Sequence, residues 1–267
     1  MKMSYVHGYS EKENQRLQDQ ASTLTELLHA DSLFPPGSRV LEAGCGVGSQ
    51  TLTLSGQNPA ASFTSVDISE LSLEQARRRL QAAGLNNVEF QQADIYRLPF
   101  AAASFDHVFL CFVLEHLRDP LAAIISLEKV LKPGGSITVI EGDHGSAYFY
   151  PDSEEAHQAI QCQIKLQAAL GGNALIGREL YPLLRKSGFA GIRVSPRMVY
   201  VDAGKPELVD GFIRKTFTAM IEGVREQAIK ENLIDPTIFD QGIRDLYRTA
   251  DLGGTFCYTF FKAIGVK

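Results

Sequence analysis

The sequence predicts an α/β fold, a mainly parallel sheet with helices on both faces, and three observations carry that prediction. Segments suited to strands alternate with segments suited to helices from about residue 39 to 141. Several of the strand segments are apolar throughout, as strands covered on both faces are. The chain has 267 residues, 45% hydrophobic and 21% charged, which suits a soluble globular protein of one α/β domain with an added cap.

The elements follow in order. Ser10 and Glu13 stand in capping-box spacing ahead of Leu17, Leu24, Leu27 and Leu28, so an amphipathic helix is expected to about Ala30, ended by Pro35-Pro36-Gly37. Next come a strand over 39–43, a helix from about Gly48, a strand over 62–67 and a helix over about 71–83. Strands are expected over 88–93, 105–112 and 136–141, with a helix over 120–131 before the last of them. Beyond these, 154–170, 177–186, 207–230 and 237–249 read as helices and 192–201 as a strand. The closing run TFCYTFFKAI, 255–264, is aromatic and β-branched and suits a final strand. If that strand returns to the sheet, residues 203–252 form an insertion, expected as a helical cap over one edge.

Composition excludes several classes of function. No apolar run approaches the roughly 20 residues of a membrane helix, and the start, MKMSYVHGYSEKEN, lacks the apolar core of a secretory signal, so a cytoplasmic protein with no membrane partner is expected. Cys45, Cys111, Cys162 and Cys257 make no C-x-x-C pair, which favours reduced thiols and no metal site. A net charge of -5 argues against a nucleic-acid partner, and the tight cluster Arg77–Arg79 reads as a solvated helix face. Nothing in the sequence sets an oligomeric state.

The stretch VLEAGCGVGSQTL, 40–52, joins the first strand to a glycine turn with Gly44, Gly46 and Gly48, and Ser49 stands where a dinucleotide fingerprint wants its third glycine. In an open parallel sheet, ligands bind beyond the carboxyl ends of the strands, and the glycines of Gly44-Cys45-Gly46 allow close backbone approach there. Glu42 sits at the mouth of that turn, where a carboxylate repels pyrophosphate and attracts a cation. Asp67 ends the second strand and can take hydrogen bonds from both hydroxyls of a ribose, or cap the following helix. Asp94 in QADIYRLPF can accept from an adenine amino group, or serve as a turn residue. Cys111, Phe112 and Val113 offer backbone carbonyls to an ammonium group, or continue a plain core strand.

Taken in order from about residue 38 to 143, VLEAGCGVG, VDIS, QADIYRLPF, FDHVFLCFVLEHL and VLKPGGSITVIEGD resemble class I S-adenosylmethionine-dependent methyltransferases of the small-molecule, UbiE and arsenite-methyltransferase-like kind. The resemblance implies a Rossmann-like, seven-stranded, mainly parallel sheet with an antiparallel last strand. It implies an N-terminal helical lid over 1–36 and a methyltransferase domain over 37–267 that carries the cap. S-adenosylmethionine would be the methyl donor, S-adenosylhomocysteine the product, and a small molecule the acceptor. On this resemblance Glu42 lies near the methionine end of the cofactor, Asp67 on the ribose and Asp94 on the adenine. Ile68 and Ile95 flank the adenine ring, and Arg16 and Gln20 reach the methionine carboxylate.

The segment EGDHGSAYFYPD, 141–152, follows the fifth strand and is expected to border the acceptor pocket. It supplies Glu141, Asp143 and His144 as titratable groups and Tyr148, Phe149 and Tyr150 as aromatic walls, or as core beneath the cap. His144 is either a general base or a hydrogen-bonded loop residue; His116 fixes the loop around the cofactor or acts as a base. Arg178 and Arg197, with Tyr181 and Tyr200, either clamp an acidic substrate or pair at the surface. Two rival functions stand beside methyl transfer. An NAD-dependent oxidoreductase needs a pyrophosphate-tolerant turn, against which Ser49 and Glu42 speak. The other is a binding module for the same cofactor without catalysis.

Overall fold

The computed structural model describes residues 23–267. Helix α1 (residues 23–29) is followed by β1 (Arg39–Ala43), α2 (Ser49–Gln57), β2 (Ser62–Asp67), α3 (Glu70–Ala82), β3 (Val88–Gln92) and β4 (Phe105–Cys111). Then come α4 (Pro120–Val130), β5 (Leu131–Gly142), β6 (Tyr148–Tyr150), α5 (Glu154–Ala169), α6 (Leu180–Lys186) and β7 (Ala190–Asp202). The short α7 (Pro206–Leu208) leads through π-helical turns (Val209–Thr218) into α8 (Ala219–Glu222), before α9 (Arg225–Lys230), α10 (Pro236–Arg248) and β8 (Thr255–Val266).

β1 pairs in parallel with β2 and β4, β2 with β3, and β4 with β5, whereas β6 lies antiparallel on β8. Strand order is β3-β2-β1-β4-β5-β8-β6, with β7 also on β8. The mainly parallel sheet with antiparallel pairing at its last strand is therefore present, with eight strands where seven were expected. The extra strand, β6, has three residues and no sequence period of its own; it exists by pairing Tyr148, Phe149 and Tyr150 with Cys257, Phe256 and Thr255.

Two compact units divide the described residues: Thr25–Glu141, Ile176–Arg197 and Phe261–Lys267 form one, and residues 23–24, Gly142–Leu175 and Met198–Phe260 form the other. In the first unit, Val40 and Leu41, or Val108, Phe109 and Leu110, are buried in succession, which requires cover on both faces of the sheet. On one face Leu41, Val108, Leu110, Ile137 and Val139 share a core with Ile124 and Leu127 of α4 and Leu180 and Leu184 of α6. Helix starts follow local capping chemistry. Ser69 accepts from Ser72 N at 3.2 Å to begin α3, and Asp119 accepts from Ala122 N at 2.9 Å to begin α4, with Pro120 in its first turn.

In the second unit α5 and α10 pack closely, because the Glu155 carbonyl occupies the space where a Cβ at Gly242 would stand. Ser153 caps α5 and donates to Asp245 Oδ2 of α10 at 2.8 Å. The helix expected over 207–230 is interrupted after α8 at Gly223, and its first part is π-helical. An i→i+5 repeat brings positions five apart nearly into line, so Phe212 and Phe217 both reach Tyr258, at 5.9 and 5.5 Å between ring centroids. Among the described residues no helix is long and apolar enough to cross a membrane.

Candidate active site

The glycine turn follows β1, and each of its glycines has a different physical reason. Gly44, Gly46 and Gly48 have φ of 76°, 53° and 76°, the left-handed region that glycine occupies without a Cβ penalty. A Cβ at Gly44 would stand 2.6 Å from Val113 Cγ2, and one at Gly48 2.8 Å from the Ala76 methyl of α3. At Gly46 a Cβ would meet nothing within 4 Å. Gly44 and Gly48 thus let protein pack on protein, and Gly46 leaves open space. Cys45 is buried behind the turn, and its N–H and that of Gly44 donate to the Val66 carbonyl at 3.0 and 2.8 Å.

Two carboxylates meet this turn. Asp67, at the end of β2, accepts from Gly46 N at 2.8 Å and from Ser69 N at 2.9 Å, one bond on each oxygen. Ser69 is the residue that caps α3, so Asp67 ties the glycine turn to the helix entrance, and each of its oxygens retains accepting capacity. Burial raises its pKa, against the downward pull of those N–H groups. Glu42 is 2% exposed and accepts from Ser65 Oγ at 2.6 Å; burial lifts it to about 7, helped by the nearby charge of Asp67.

Around the ends of β3 and β4 the placements are mixed. Asp94 accepts from Tyr96 N at 2.9 Å and its carbonyl from Arg97 N at 2.8 Å, the closed geometry of a turn residue. Ile68 keeps 41% of its surface exposed, whereas Ile95 belongs to the sheet core and presents little surface to an adenine ring. Phe112 has φ 58°, rare for a bulky side chain, and its N–H donates to the Ile140 carbonyl at 2.9 Å. His116 follows in a 3-10 turn (Leu114–His116), with Nε2 3.6 Å from Glu115 Oε1. The Cys111 thiol is pushed up by burial and by Glu141 and Glu42.

Three expectations are corrected or decided here. Glu141, expected as a titratable wall of the acceptor pocket, is fully buried, and its Oε1 accepts from Val113 N at 3.0 Å and Leu114 N at 2.7 Å. Of the two alternatives for Arg197, substrate clamp or pairing, the structure shows pairing: it pairs with Asp31, and its Nε donates to Ser195 Oγ at 3.1 Å. The aromatic trio is not one wall, because a strand turns alternate side chains to opposite sides. Tyr148 and Tyr150 are 68% and 64% exposed, while Phe149 stacks on His157 and Phe256 at 4.7 and 5.9 Å. Arg178 is exposed on a 3-10 turn (Ile176–Glu179), and Tyr181 and Tyr200 are exposed as well. Arg16 and Gln20 lie outside the described residues.

In the second unit, Asp143 is buried and caps a 3-10 turn (His144–Ser146) by accepting from Gly145 N at 3.0 Å. His144 is 7% exposed; its Nδ1 lies 2.7 Å from Tyr258 OH, and its ring lies edge-on to Phe217 at 6.3 Å. The Tyr258 hydroxyl reaches this position because it occupies the space a Cβ would need at Gly142.

Residues 41–139 match a protein family described as methyltransferase domain. The chain is 33% identical to 27-O-demethylrifamycin SV methyltransferase of Amycolatopsis mediterranei over 229 residues, 84% of this chain and 77% of that protein.

This chain is a member of the class I S-adenosylmethionine-dependent methyltransferase family.

A second relative within the methyltransferases, demethylmenaquinone methyltransferase of Lactococcus lactis, is 34% identical over 45% of this chain and 48% of its own length. The fold of the family is shared with phosphoethanolamine N-methyltransferase 2 of Haemonchus contortus, solved with phosphomonomethylethanolamine and S-adenosylhomocysteine. That likeness has a TM-score of 0.58 at 18% identity and covers 93% of this chain and 52% of that one. The chain spans about half the length of several curated relatives it matches, 57% and 53% of two of them.

Two residues of this methyltransferase chain carry structure that sequence reasoning missed. Tyr258 sits in a run read only as a strand, and its hydroxyl is the sole hint of a polar partner there. Lys262, four residues on, is 2% exposed; its ammonium donates to Asp31 Oδ1 at 2.7 Å, Ser32 Oγ at 2.8 Å and the Leu28 carbonyl at 3.3 Å. Against the upward push of burial, Lys262 and Arg197 hold Asp31 down at about 2. The end of α1 is fixed by these bonds, and a charged residue inside a hydrophobic strand run was the available signal. The four cysteines are free, and no cluster suited to a metal occurs among the described residues.

Proposed function

We propose that the chain is an S-adenosylmethionine-dependent methyltransferase acting on a small-molecule acceptor. The observation that carries the reading is the open space at Gly46, flanked by the carboxylates of Glu42 and Asp67 at the ends of adjacent parallel strands. That donor set fits a cationic, ribose-bearing cofactor better than a pyrophosphate, which two carboxylates repel, and the nearby Arg79 guanidinium is engaged by Ser49 Oγ at 2.6 Å. Asp67 would hold the ribose hydroxyls, and Asp94, beyond its turn bonds, the adenine edge. Ile68 would cover the ring, Glu42 would face the methionine end, and the carbonyls of Cys111–Val113 would receive the ammonium. Bound there, the cofactor supplies a methyl group activated on a sulfonium for in-line attack.

The chain's own part is to orient, to exclude water and to take a proton. Holding a nucleophile in line accounts for something on the order of 7–11 kcal/mol of barrier reduction. A hydroxyl or amine acceptor also loses a proton, and His144, anchored through Nδ1 on Tyr258, is the group we assign to receive it, with His116 and Asp143 shaping the loops. The helices over 203–252 are assigned to acceptor choice in this reading; residues 1–22 of the lid expected over 1–36 lie outside the described residues. Calorimetric titration of the full chain with S-adenosylmethionine and S-adenosylhomocysteine tests it. Micromolar binding of both is expected, and a folded protein that binds neither removes the proposal. Transfer of labelled methyl to members of a metabolite panel then separates an enzyme from a binding module.

A further inference from the structure

Glu141 braces the entry of a turn whose later residues hold themselves, His116 N donating to the Val113 carbonyl and Leu117 N to the Leu114 carbonyl, each at 3.1 Å. Glu141 ends the apolar run of β5 with none of its surface exposed, and its Oε1 accepts two backbone N–H groups, from Val113 and Leu114, in the turn that leaves β4. That turn begins at Phe112, whose φ of 58° a bulky side chain adopts only where the surroundings over-determine it. The next side chain, Val113, fills the space that the missing Cβ of Gly44 leaves. One carboxyl oxygen thus connects β5, the β4 turn and the glycine turn. The other, Oε2, is buried with no hydrogen-bond partner. Burial, with the charge of Glu115 nearby, pushes the group above the usual carboxylate range. The oxygen of a glutamine amide can accept the same two N–H groups.

We infer that Glu141 is a positioning residue of the cofactor site: by fixing the backbone from Phe112 to Leu114, it sets the carbonyls of Cys111–Val113 where a cofactor's ammonium group binds. The inference rests on the proposed reading of that segment as the ammonium binder. Glu141 does not touch substrate, since it is enclosed on every side.

The test is calorimetric titration of the full-length wild type, E141L and E141Q with two probes. S-adenosylhomocysteine carries the ammonium, and 5′-methylthioadenosine lacks it. E141L is expected to bind S-adenosylhomocysteine about tenfold or more weakly, the loss that follows when two buried N–H groups lose their acceptor. Its affinity for 5′-methylthioadenosine stays within about threefold of wild type, and E141Q recovers the lost affinity to the same margin. Binding stoichiometry and circular dichroism count the folded fraction. If E141L does not fold, E141D, one methylene short of both N–H groups, is expected to show the same selective loss. Wild-type affinity in the variant tested overturns the inference, as does an equal loss for both probes or an E141Q as weak as E141L. Wild-type protein that binds neither probe overturns the cofactor reading itself, which is a different result from any of these.

Discussion

At the glycine turn, the shaping contacts run between neighbours of the chain or between adjacent strands: Gly46 N reaches Asp67, 21 positions on, Gly44 N and Cys45 N reach Val66, and Gly48 N reaches the Cys45 carbonyl. Around His144 the decisive partner, Tyr258, lies 114 positions away, and Phe217 is delivered by a π-helical stretch. The first region is mostly backbone, with glycines that leave room and carboxylates that fill hydrogen bonds. The second is side chains closed around one imidazole. A region built from backbone resists most side-chain substitutions and fails at a few glycines and carboxylates, whereas a region built from side chains fails wherever one of them is removed.

The sharpest probe of the second region is His144→Ala. Turnover of an identified acceptor is expected to fall by about a hundredfold or more with S-adenosylhomocysteine affinity unchanged, and a loss below about threefold would leave His144 as packing alone. In the first region Asp67→Ala is expected to weaken S-adenosylhomocysteine by about fiftyfold, because it removes a ribose acceptor and frees the Gly46 and Ser69 N–H groups at once. Calorimetric affinity equal to wild type would break the ribose assignment.

Glu42 gives the first region a pH dependence of its own. Its carboxyl, lifted by burial to about 7, is protonated below that pH in the free protein, and a cationic ligand favours the charged form. Affinity for S-adenosylmethionine should therefore rise by about tenfold from pH 6 to pH 8, with the slope confined below about pH 7. E42Q should remove the slope; a pH-independent wild type would contradict the placement of Glu42 beside positive charge. For stability the same shift has the opposite direction. A folded-state pKa above the unfolded value favours the folded protein at low pH, and this contribution is lost as pH rises from about 4.5 through 7.

The smallest effects separate two glycines within the first region. Gly44→Ala combines a φ of 76° with a collision at Val113 and is expected to cost about 2 kcal/mol of stability in urea unfolding. Gly46→Ala carries the left-handed penalty alone, about 1 kcal/mol, and is expected to lose several-fold in cofactor affinity instead. The reverse pattern would mean that Gly44, not Gly46, faces the ligand.

Much of the sheet was legible because its signals are local. β1 and β2 fall on the expected residues, and α2, α3 and α4 begin within a residue of their expected starts. β5 begins five residues earlier than expected, at Leu131, because Pro133-Gly134-Gly135 reads as a breaker where the chain is already paired with β4 at Phe105. β6 was invisible, since a three-residue strand has no period to detect and depends on β8 to exist. Within the site, Asp67 and Gly46 were singled out by position alone. Glu141 was misjudged, and the alternatives for Arg197 and the aromatic trio stayed open, for one reason: their partners are distant in sequence.

The succession of strands and helices along the chain, the glycine turn after β1 and the carboxylates at the ends of β1 and β2 follow from the sequence alone. Apolar runs, glycine spacing and strand ends are local properties, and a parallel sheet converts them directly into a row of groups along its carboxyl edge. Tertiary structure alone decided that Glu141 braces a turn, that Arg197 and Lys262 secure Asp31, and that His144 rests on Tyr258. A buried polar side chain takes its role from whichever partner satisfies it, and here those partners come from segments 27 to 231 residues away.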